Sequence, residues 1–228
     1  MQGMLKIGAL SLIAVILAVP MFASTVTYTT QSSFAAATTS LTTENFDSAA
    51  VGEVTGPIDG LTFTGNLAGG GSLFVTNLFD TTSSPNYLGT DPAIGGAFGA
   101  GDKFTVTLPA SSTAIGLYLL IGGSLNAGDF TLSTSSGNAL NSDTPDAILG
   151  DGTEAYFLGL TSDTAFTSAT ISLTTPGGEF DGPVWNADDI SYGSANSNVT
   201  PPPPVPEPAS LLLVGTGLAA MIRRLKRA

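Results

Sequence analysis

The sequence predicts an all-β fold, a two-sheet antiparallel sandwich over residues 41–193. Short apolar runs of period two alternate with clusters of Gly, Pro, Asn and Asp, and no long 3.6-residue periodicity is present. The 28 glycines suit turns and bulges between such strands. We expect an N-terminal signal helix and a short C-terminal transmembrane helix to flank the sandwich.

The strands follow from the same pattern. Phe104, Val106 and Leu108 alternate with polar neighbours, so one face of this strand should lie on the core. Residues 114–121 are almost continuously apolar, which predicts a central strand covered on both faces. The other predicted strands, for a total of about nine or ten, lie at 26–30, 61–64, 72–76, 129–133, 154–160, 169–174 and 184–192.

Residues 1–23 have the features of a secretory signal peptide. Lys6 supplies a positive charge, residues 7–19 form an uncharged apolar run, and Pro20 ends it. We expect signal peptidase to cut near Ala23 and Ser24, which leaves a Ser/Thr-rich lead segment over residues 24–40. An uncleaved membrane anchor is the alternative.

The C-terminal part begins with a Pro-rich linker over residues 194–204, which should be extended and semi-rigid. Val205 and the triplet Pro206-Glu207-Pro208 follow, and the two prolines keep Glu207 in an extended, accessible peptide. The apolar run at 211–222 would span only about 18 Å as a helix, whereas a hydrocarbon core is about 30 Å thick. The run therefore predicts a marginal membrane helix.

A basic end closes the chain and sets the orientation of that helix. The positive-inside rule places these residues on the cytoplasmic side and everything before Leu211 outside the cytoplasmic membrane. The basic residues of this membrane stop are Arg223, Arg224, Lys226 and Arg227.

The Pro-Glu-Pro triplet, the apolar run and the basic end closely resemble the PEP-CTERM sorting signal of Gram-negative envelope proteins. The resemblance implies recognition and cleavage at Val205–Pro208 by an exosortase, a membrane-embedded transpeptidase-like cysteine protease. It also implies transient anchoring in the inner membrane and a final location in the cell envelope, at the cell surface or outside the cell. A plain C-terminal anchor behind a Pro-rich spacer is the alternative.

Four short stretches of the body are similar to PEP-CTERM ectodomains with a jelly-roll, lectin-like sandwich. This resemblance implies an architecture, and an architecture does not fix a function. The stretches lie at 44–47, 58–63, 84–89 and 187–193.

Charge is strongly partitioned along the chain. Between residues 24 and 204 only Lys103 is basic, against 17 acidic residues, for a net charge of −16. Such a surface repels nucleic acid, which excludes it as a partner.

The absence of Cys and His excludes disulfides, cysteine nucleophiles, the usual zinc sites and a Ser-His-Asp triad.

Acidic residues lie at the ends of the first and last core strands, which often lie side by side in sandwiches. Glu44 and Asp47 end the first strand, and Asp188 and Asp189 belong to the last. Asp188 is in phase with apolar residues and should point inward, where an unpaired carboxylate is costly. We therefore predict a structural Ca²⁺ at these four residues. Turn and edge carboxylates that accept backbone N–H groups are the alternative.

Aromatic residues near loops are expected to be exposed and are candidates for stacking on a sugar ring. Trp185 is the best candidate, with Tyr87 and Tyr192 next. The alternative is that Trp185 packs in the core or at its rim.

These observations predict a non-catalytic exported protein of the cell surface or the extracellular polysaccharide of a biofilm. It would bind polysaccharide or calcium, or serve as a structural filler. Two alternatives stay open. One is a glycoside-active enzyme with paired carboxylates, which needs neither His nor Cys. The other is a self-associating adhesin, which the negative charge opposes.

Overall fold

The computed structural model describes residues 24–173 and 183–196. The predicted signal peptide at 1–23, linker residues 197–204 and the whole tail at 205–228, with its sorting triplet and basic end, lie outside the described residues. Within the described ranges, no helix has the length and apolarity needed to cross a membrane.

The described chain is all-β and antiparallel, as predicted, with a single short α-helix and one turn of 3₁₀ helix at Pro92–Ile94. The elements, in chain order, are β1 Thr25–Tyr28, α1 Gln31–Ala36, β2 Thr38–Glu44, β3 Gly52–Glu53, β4 Thr62–Asn66, β5 Leu73–Thr76, β6 Tyr87–Thr90, β7 Lys103–Ile121, β8 Phe130–Thr134, β9 Gly137–Leu140, β10 Ala147–Ile148, β11 Glu154–Leu173 and β12 Trp185–Ala195.

All twelve strands belong to one hydrogen-bonded network. The main order is β3-β5-β6-β12-β7-β11-β8-β9. In addition, β1 and β10 pair with β11, β2 pairs with β12, and β4 pairs with β7. Every pairing is antiparallel. β1, α1 and the start of β2 all fall in the predicted lead segment 24–40, so that segment is part of the folded body.

The two longest strands, β7 and β11, run through both layers of the sandwich. They pair with each other from Ile121↔Glu154 to Lys103↔Ser172, with register shifts between Thr161 and Ser168. Residues 103–107 of β7 also pair with β4, and residues 114–121 pair with β12 on the same edge. Each long strand therefore contributes one half to each layer.

The sequence pattern predicted two separate strands where β7 is continuous. The inward-facing residues change from even to odd numbers across 109–113, from Phe104 and Val106 to Ile115 and Leu117. Pro109 lies just beyond the last pair with β4, where its missing N–H costs no ladder bond. The irregular segment bends the strand without a turn, so both halves direct their apolar faces at one core.

The core between the layers is aromatic at one end. Trp185 of β12 stacks on Phe98, with ring centroids 4.4 Å apart. The same ring meets Phe104 of β7 at 6.0 Å and Phe130 of β8 at 5.1 Å. Because β12 lies in one layer and Phe104 and Phe130 in the other, these contacts join the two layers face to face.

The second half of β7 is buried on both faces, as its continuous apolar sequence predicted. Its outer face, with Tyr118 and Leu120, packs in a second cluster that includes Phe34 of α1 and Phe157 of β11. Thr30 caps α1 by accepting the backbone N–H of Ser33. The short helix thus covers the outer face of the central strands.

Candidate functional site

Trp185 and Tyr87, the predicted sugar-stacking residues, are both 0% exposed. The prediction that their rings face solvent is therefore wrong. Trp185 pairs with Ile121 and is enclosed by three phenylalanine rings, and Tyr87 of β6 stacks against Phe79. Large rings on strands gain most by burial, and the alternative of core packing holds for Trp185. Tyr192 is partly buried against the same core.

The aromatic side chain that is exposed near these loops is Phe79, at 47%. With Val184, Asn186 and Asp80 it lines a small cavity of about 70 Å³. Asp80 and the neighbouring Asp151 accept each other's backbone N–H, at 3.1 and 3.4 Å. Phe79 follows no strand alternation, so the sequence pattern did not single it out.

Asp188 points inward, as its phase on β12 predicted, and is fully buried. Its Oδ2 accepts hydrogen bonds from the hydroxyl groups of Thr81, Thr82 and Ser83 and from the backbone N–H of Ser83. Its Oδ1 accepts the backbone N–H of Asp189 at 2.7 Å. We call residues 81–83 the hydroxyl loop. Its hydroxyl and N–H groups donate hydrogen bonds to Asp188 in place of basic side chains, which are scarce in the acidic ectodomain.

The hydroxyl loop does not fully offset the burial of this carboxylate. Burial, and next the charge of Asp189, raises the pKa of Asp188 to about 7 against the donors from Thr81 and Ser83. Burial also raises the pKa of Asp189, with a further contribution from Asp47. Asp188 is therefore a carboxyl group that changes charge near neutral pH.

A bulge in β12 brings both Asp188 and Asp189 beside the hydroxyl loop. The register with β7 shifts between Asp188 and Ser191, and Asp189 has a left-handed φ of 50°. Asp is among the few residues other than glycine that tolerate this conformation. Consecutive residues of a regular strand would point to opposite faces, so the bulge is what lets both carboxylates interact with the hydroxyl loop.

Glu44 ends β2 opposite Ile190 of β12 and is only 3% exposed. Its Oε1 accepts the backbone N–H of Phe46 at 2.6 Å, whereas no N–H or hydroxyl group of the described residues donates to Oε2. Burial raises the pKa of Glu44, and the charge of Asp59, a hydrogen bond between the two carboxyl groups and the charge of Asp47 raise it further. The backbone N–H of Phe46 acts in the opposite direction.

Asp47 and Asn86 tie the loop after β2 to the start of β6. Asp47 accepts the backbone N–H of Asn86 at 3.2 Å and the side-chain amide of Asn45 at 3.0 Å. The Asn86 amide in turn donates to the carbonyls of Phe46 and Ala49. Asp47 thus behaves as the alternative interpretation predicted, as a turn residue that accepts N–H groups.

The structure brings the four predicted metal ligands into one region but not into one set of ligands. The described residues contain no group of three or more Asp or Glu side chains arranged to hold a metal ion. A Ca²⁺ bound by Glu44, Asp47, Asp188 and Asp189 stays a prediction. Asp59 and the hydroxyl loop were not among the site residues that the sequence pattern predicted. Asp59-Gly60 between apolar neighbours, and a run of hydroxyl residues before Pro85, were the signals available for them.

Comparisons with known proteins match the body of the chain only to distant structures and its C-terminal end to a family model. Two solved structures of the catalytic domain of a GH87 alpha-1,3-glucanase, both in complex with tetrasaccharides, share 14% sequence identity with this chain at TM-scores of 0.29 and 0.28. Each match covers 74% of this chain and 30% of the glucanase chain. No curated protein sequence matches the chain. The family model of the PEP-CTERM protein-sorting motif matches residues 204–227, so this chain carries a PEP-CTERM sorting motif at its C-terminal end.

Proposed function

We propose that the chain is a non-catalytic envelope protein, which an exosortase releases from its membrane tail to serve at the cell surface or in the extracellular polysaccharide. The observation that carries this proposal is the sorting motif over residues 204–227. It marks the chain for export and for transient anchoring through the tail. The folded sandwich in front of it is the part that the cell presents.

The chemistry of the tail supports its role as a removable address. From the sequence, prolines 206 and 208 are expected to favour an extended peptide at Glu207, the form that a protease cleft binds. The 12-residue apolar run is short for a permanent span, and the basic end would keep it oriented while the enzyme acts. Cleavage at the motif would remove four of the six basic residues and leave a strongly acidic domain.

The inaccessibility of the most buried carboxylates supports a role without catalysis. Glycoside hydrolysis requires two carboxyl groups on either side of a substrate-filled space. Asp188 and Glu44, the two with the strongest burial, lie inside the sandwich at 0% and 3% exposure. A substrate cannot reach them, which favours structural roles and leaves polysaccharide contact to the surface.

Changing Pro206, Glu207 and Pro208 together to alanine should abolish processing in cells that contain an exosortase. The triple variant would lack the extended peptide and the carboxylate that the motif presents. Fractionation followed by immunoblotting should find the full-length precursor in the inner membrane. The matched control changes Pro201, Pro202 and Pro203 of the linker to alanine and should be processed like the parent. Normal processing of the triplet variant would contradict the proposal.

Contact of the ectodomain with polysaccharide should depend on Phe79. An exposed ring beside carboxylates offers an apolar face and hydrogen-bond acceptors to a sugar. Phe79→Ala should weaken binding of the cell's own exopolysaccharide severalfold in a pull-down assay. Leu140→Ala, which removes a similarly exposed apolar side chain from β9, should leave it unchanged. Unchanged binding in Phe79→Ala, or an equal loss in both variants, would contradict a specific contact at Phe79.

A further inference from the structure

The cavity beside Phe79 has a buried floor and an exposed opening. Leu120 of β7 and Asn186 of β12 line it and are buried, whereas Phe79, Asp80 and Val184 line it and are exposed. The side-chain amide of Asn186 donates to the backbone carbonyls of Gly96 and Trp185, at 3.0 and 3.1 Å. These bonds fix the one polar side chain of the floor, so the pocket is preformed.

Exposed apolar side chains gather around this opening. Leu78, Phe79 and Val184 are each about half exposed. Phe79 and Val184 line the cavity, and Leu78 packs on Gly96, the residue whose carbonyl accepts the Asn186 amide. Three of the seven large apolar side chains that are exposed among the described residues therefore lie in one place. Contiguous apolar surface beside a cavity is typical of an interaction site.

The volume of the cavity limits the group that can enter it. The cavity measures about 70 Å³. An apolar cavity of about 150 Å³ holds benzene, so this one has room for about three heavy atoms. A sugar ring is too large, whereas an acetyl group has this size. The ring of an acetylated sugar would stay outside, where the exposed face of Phe79 can stack on it.

The charges at the opening limit the ligand further. Asp80 and Asp151 accept each other's backbone N–H, which holds the Asp80 carboxylate beside the cavity. The surrounding domain has a net charge of −16 between residues 24 and 204, so it repels uronic acids and other anionic sugars. An uncharged sugar with an N–H donor is favoured, because hydrogen bonds to an ionised carboxylate are stronger than those to a neutral acceptor.

We propose that this cavity binds the acetyl group of an N-acetylated amino sugar. The methyl group would lie against Leu120 and Val184, the sugar ring would stack on Phe79, and the amide N–H would donate to Asp80. The inference rests on the proposed contact of the ectodomain with polysaccharide, and it names the kind of sugar unit that this polymer would contain. An O-acetylated sugar offers the same methyl group but lacks the N–H donor.

Two uncharged trisaccharides of the same linkage test the proposal on the purified protein. Tri-N-acetylchitotriose carries an acetamido group on each ring where cellotriose carries a hydroxyl group. Calorimetry should show that the acetylated trisaccharide binds at least tenfold more tightly. In saturation-transfer NMR its acetyl methyl protons should receive the largest share of saturation from the protein. Equal affinity for the two trisaccharides, or no binding of the acetylated one, would overturn the proposal.

Gly122→Leu tests the cavity itself by filling it. Gly122 lines the cavity, and a Cβ at this position would lie 3.6 Å from Cγ2 of Val184, an ordinary contact. Gly122 has no left-handed φ, so the variant should fold. It should lose at least tenfold in affinity for tri-N-acetylchitotriose. The control is Gly69→Leu in the loop between β4 and β5, where a Cβ has no neighbour within 4 Å; it should bind as the parent does.

Failure of this inference is distinguishable from failure of the proposed function. Loss of exopolysaccharide binding in Phe79→Ala, together with unchanged binding in Gly122→Leu and no preference for the acetylated trisaccharide, would keep the polysaccharide contact and overturn the acetyl pocket. Sorting is measured separately, by processing of the tail. If Gly122→Leu does not fold, the comparison of the two trisaccharides on the parent protein decides the matter.

Discussion

Trp185→Ala is expected to lower the free energy of unfolding by about 3–5 kcal/mol, as for other buried aromatic residues truncated to alanine. The ring is 0% exposed and contacts Phe98 beside its own strand and Phe104 and Phe130 of the opposite layer. The cavity cannot close easily because its walls belong to strands of opposite layers. Trp185→Phe should lose less, since it keeps a ring in the stack.

Urea unfolding followed by circular dichroism provides the measurement. Ile148→Ala is the control, because Ile148 is 68% exposed and its truncation should change the free energy of unfolding by less than about 0.5 kcal/mol. Similar losses for Trp185→Ala and Ile148→Ala would contradict the aromatic core. If Trp185→Ala fails to fold, the Trp185→Phe variant supplies the comparison.

Stability is expected to fall as the pH rises from about 4 to about 7. Burial raises the pKa of Asp188 from 3.8 to about 7, so over this range the folded protein holds a proton that the unfolded chain has lost. Each pKa unit corresponds to about 1.4 kcal/mol, which makes the loss from Asp188 about 4 kcal/mol. Glu44 and Asp189 also have raised pKa values and act in the same direction, whereas the lowered pKa of exposed Asp151 opposes them.

The free energy of unfolding, measured by urea titration in chelator at several pH values, tests this account. Asp188→Asn should flatten most of the decline, because an amide does not titrate. Asp143→Asn should keep the parent's slope, since Asp143 is exposed. An equally steep decline in Asp188→Asn would show that another group is responsible. A parent whose stability rises between pH 4 and 7 would contradict the burial of a protonated Asp188.

Period-two alternation predicted much of the fold because it reports which side of a strand is buried. It located most of β7, β8, β11 and β12 and the two covered faces of residues 114–121. It could not show that 103–108 and 114–121 are one strand, because a bend without a turn leaves no Gly-rich or Asn-rich signal. The same pattern marks Trp185 as near a strand end without saying whether its ring faces in or out.

The candidate site was predictable only in part. Asp188 followed from its phase with Ile190, and Glu44 from its place at the end of a core strand. The hydroxyl loop and Asp59 did not follow, because neither is adjacent in sequence to the carboxylate with which it interacts. Thr81 meets Asp188 across a sequence separation of 107 residues. Contacts of this kind depend on the packing of the layers, which local pattern does not encode.

The central claim, a folded ectodomain delivered by a removable tail, is tested most directly by the intact mass of the protein at its final location. Mass spectrometry of the surface or released protein should show a chain that ends at or near Val205–Pro208 and lacks the apolar run and the basic end. The same protein from cells without exosortase should retain the tail in the membrane fraction. A mature protein that keeps Arg223–Arg227 in cells with an active exosortase would contradict the account.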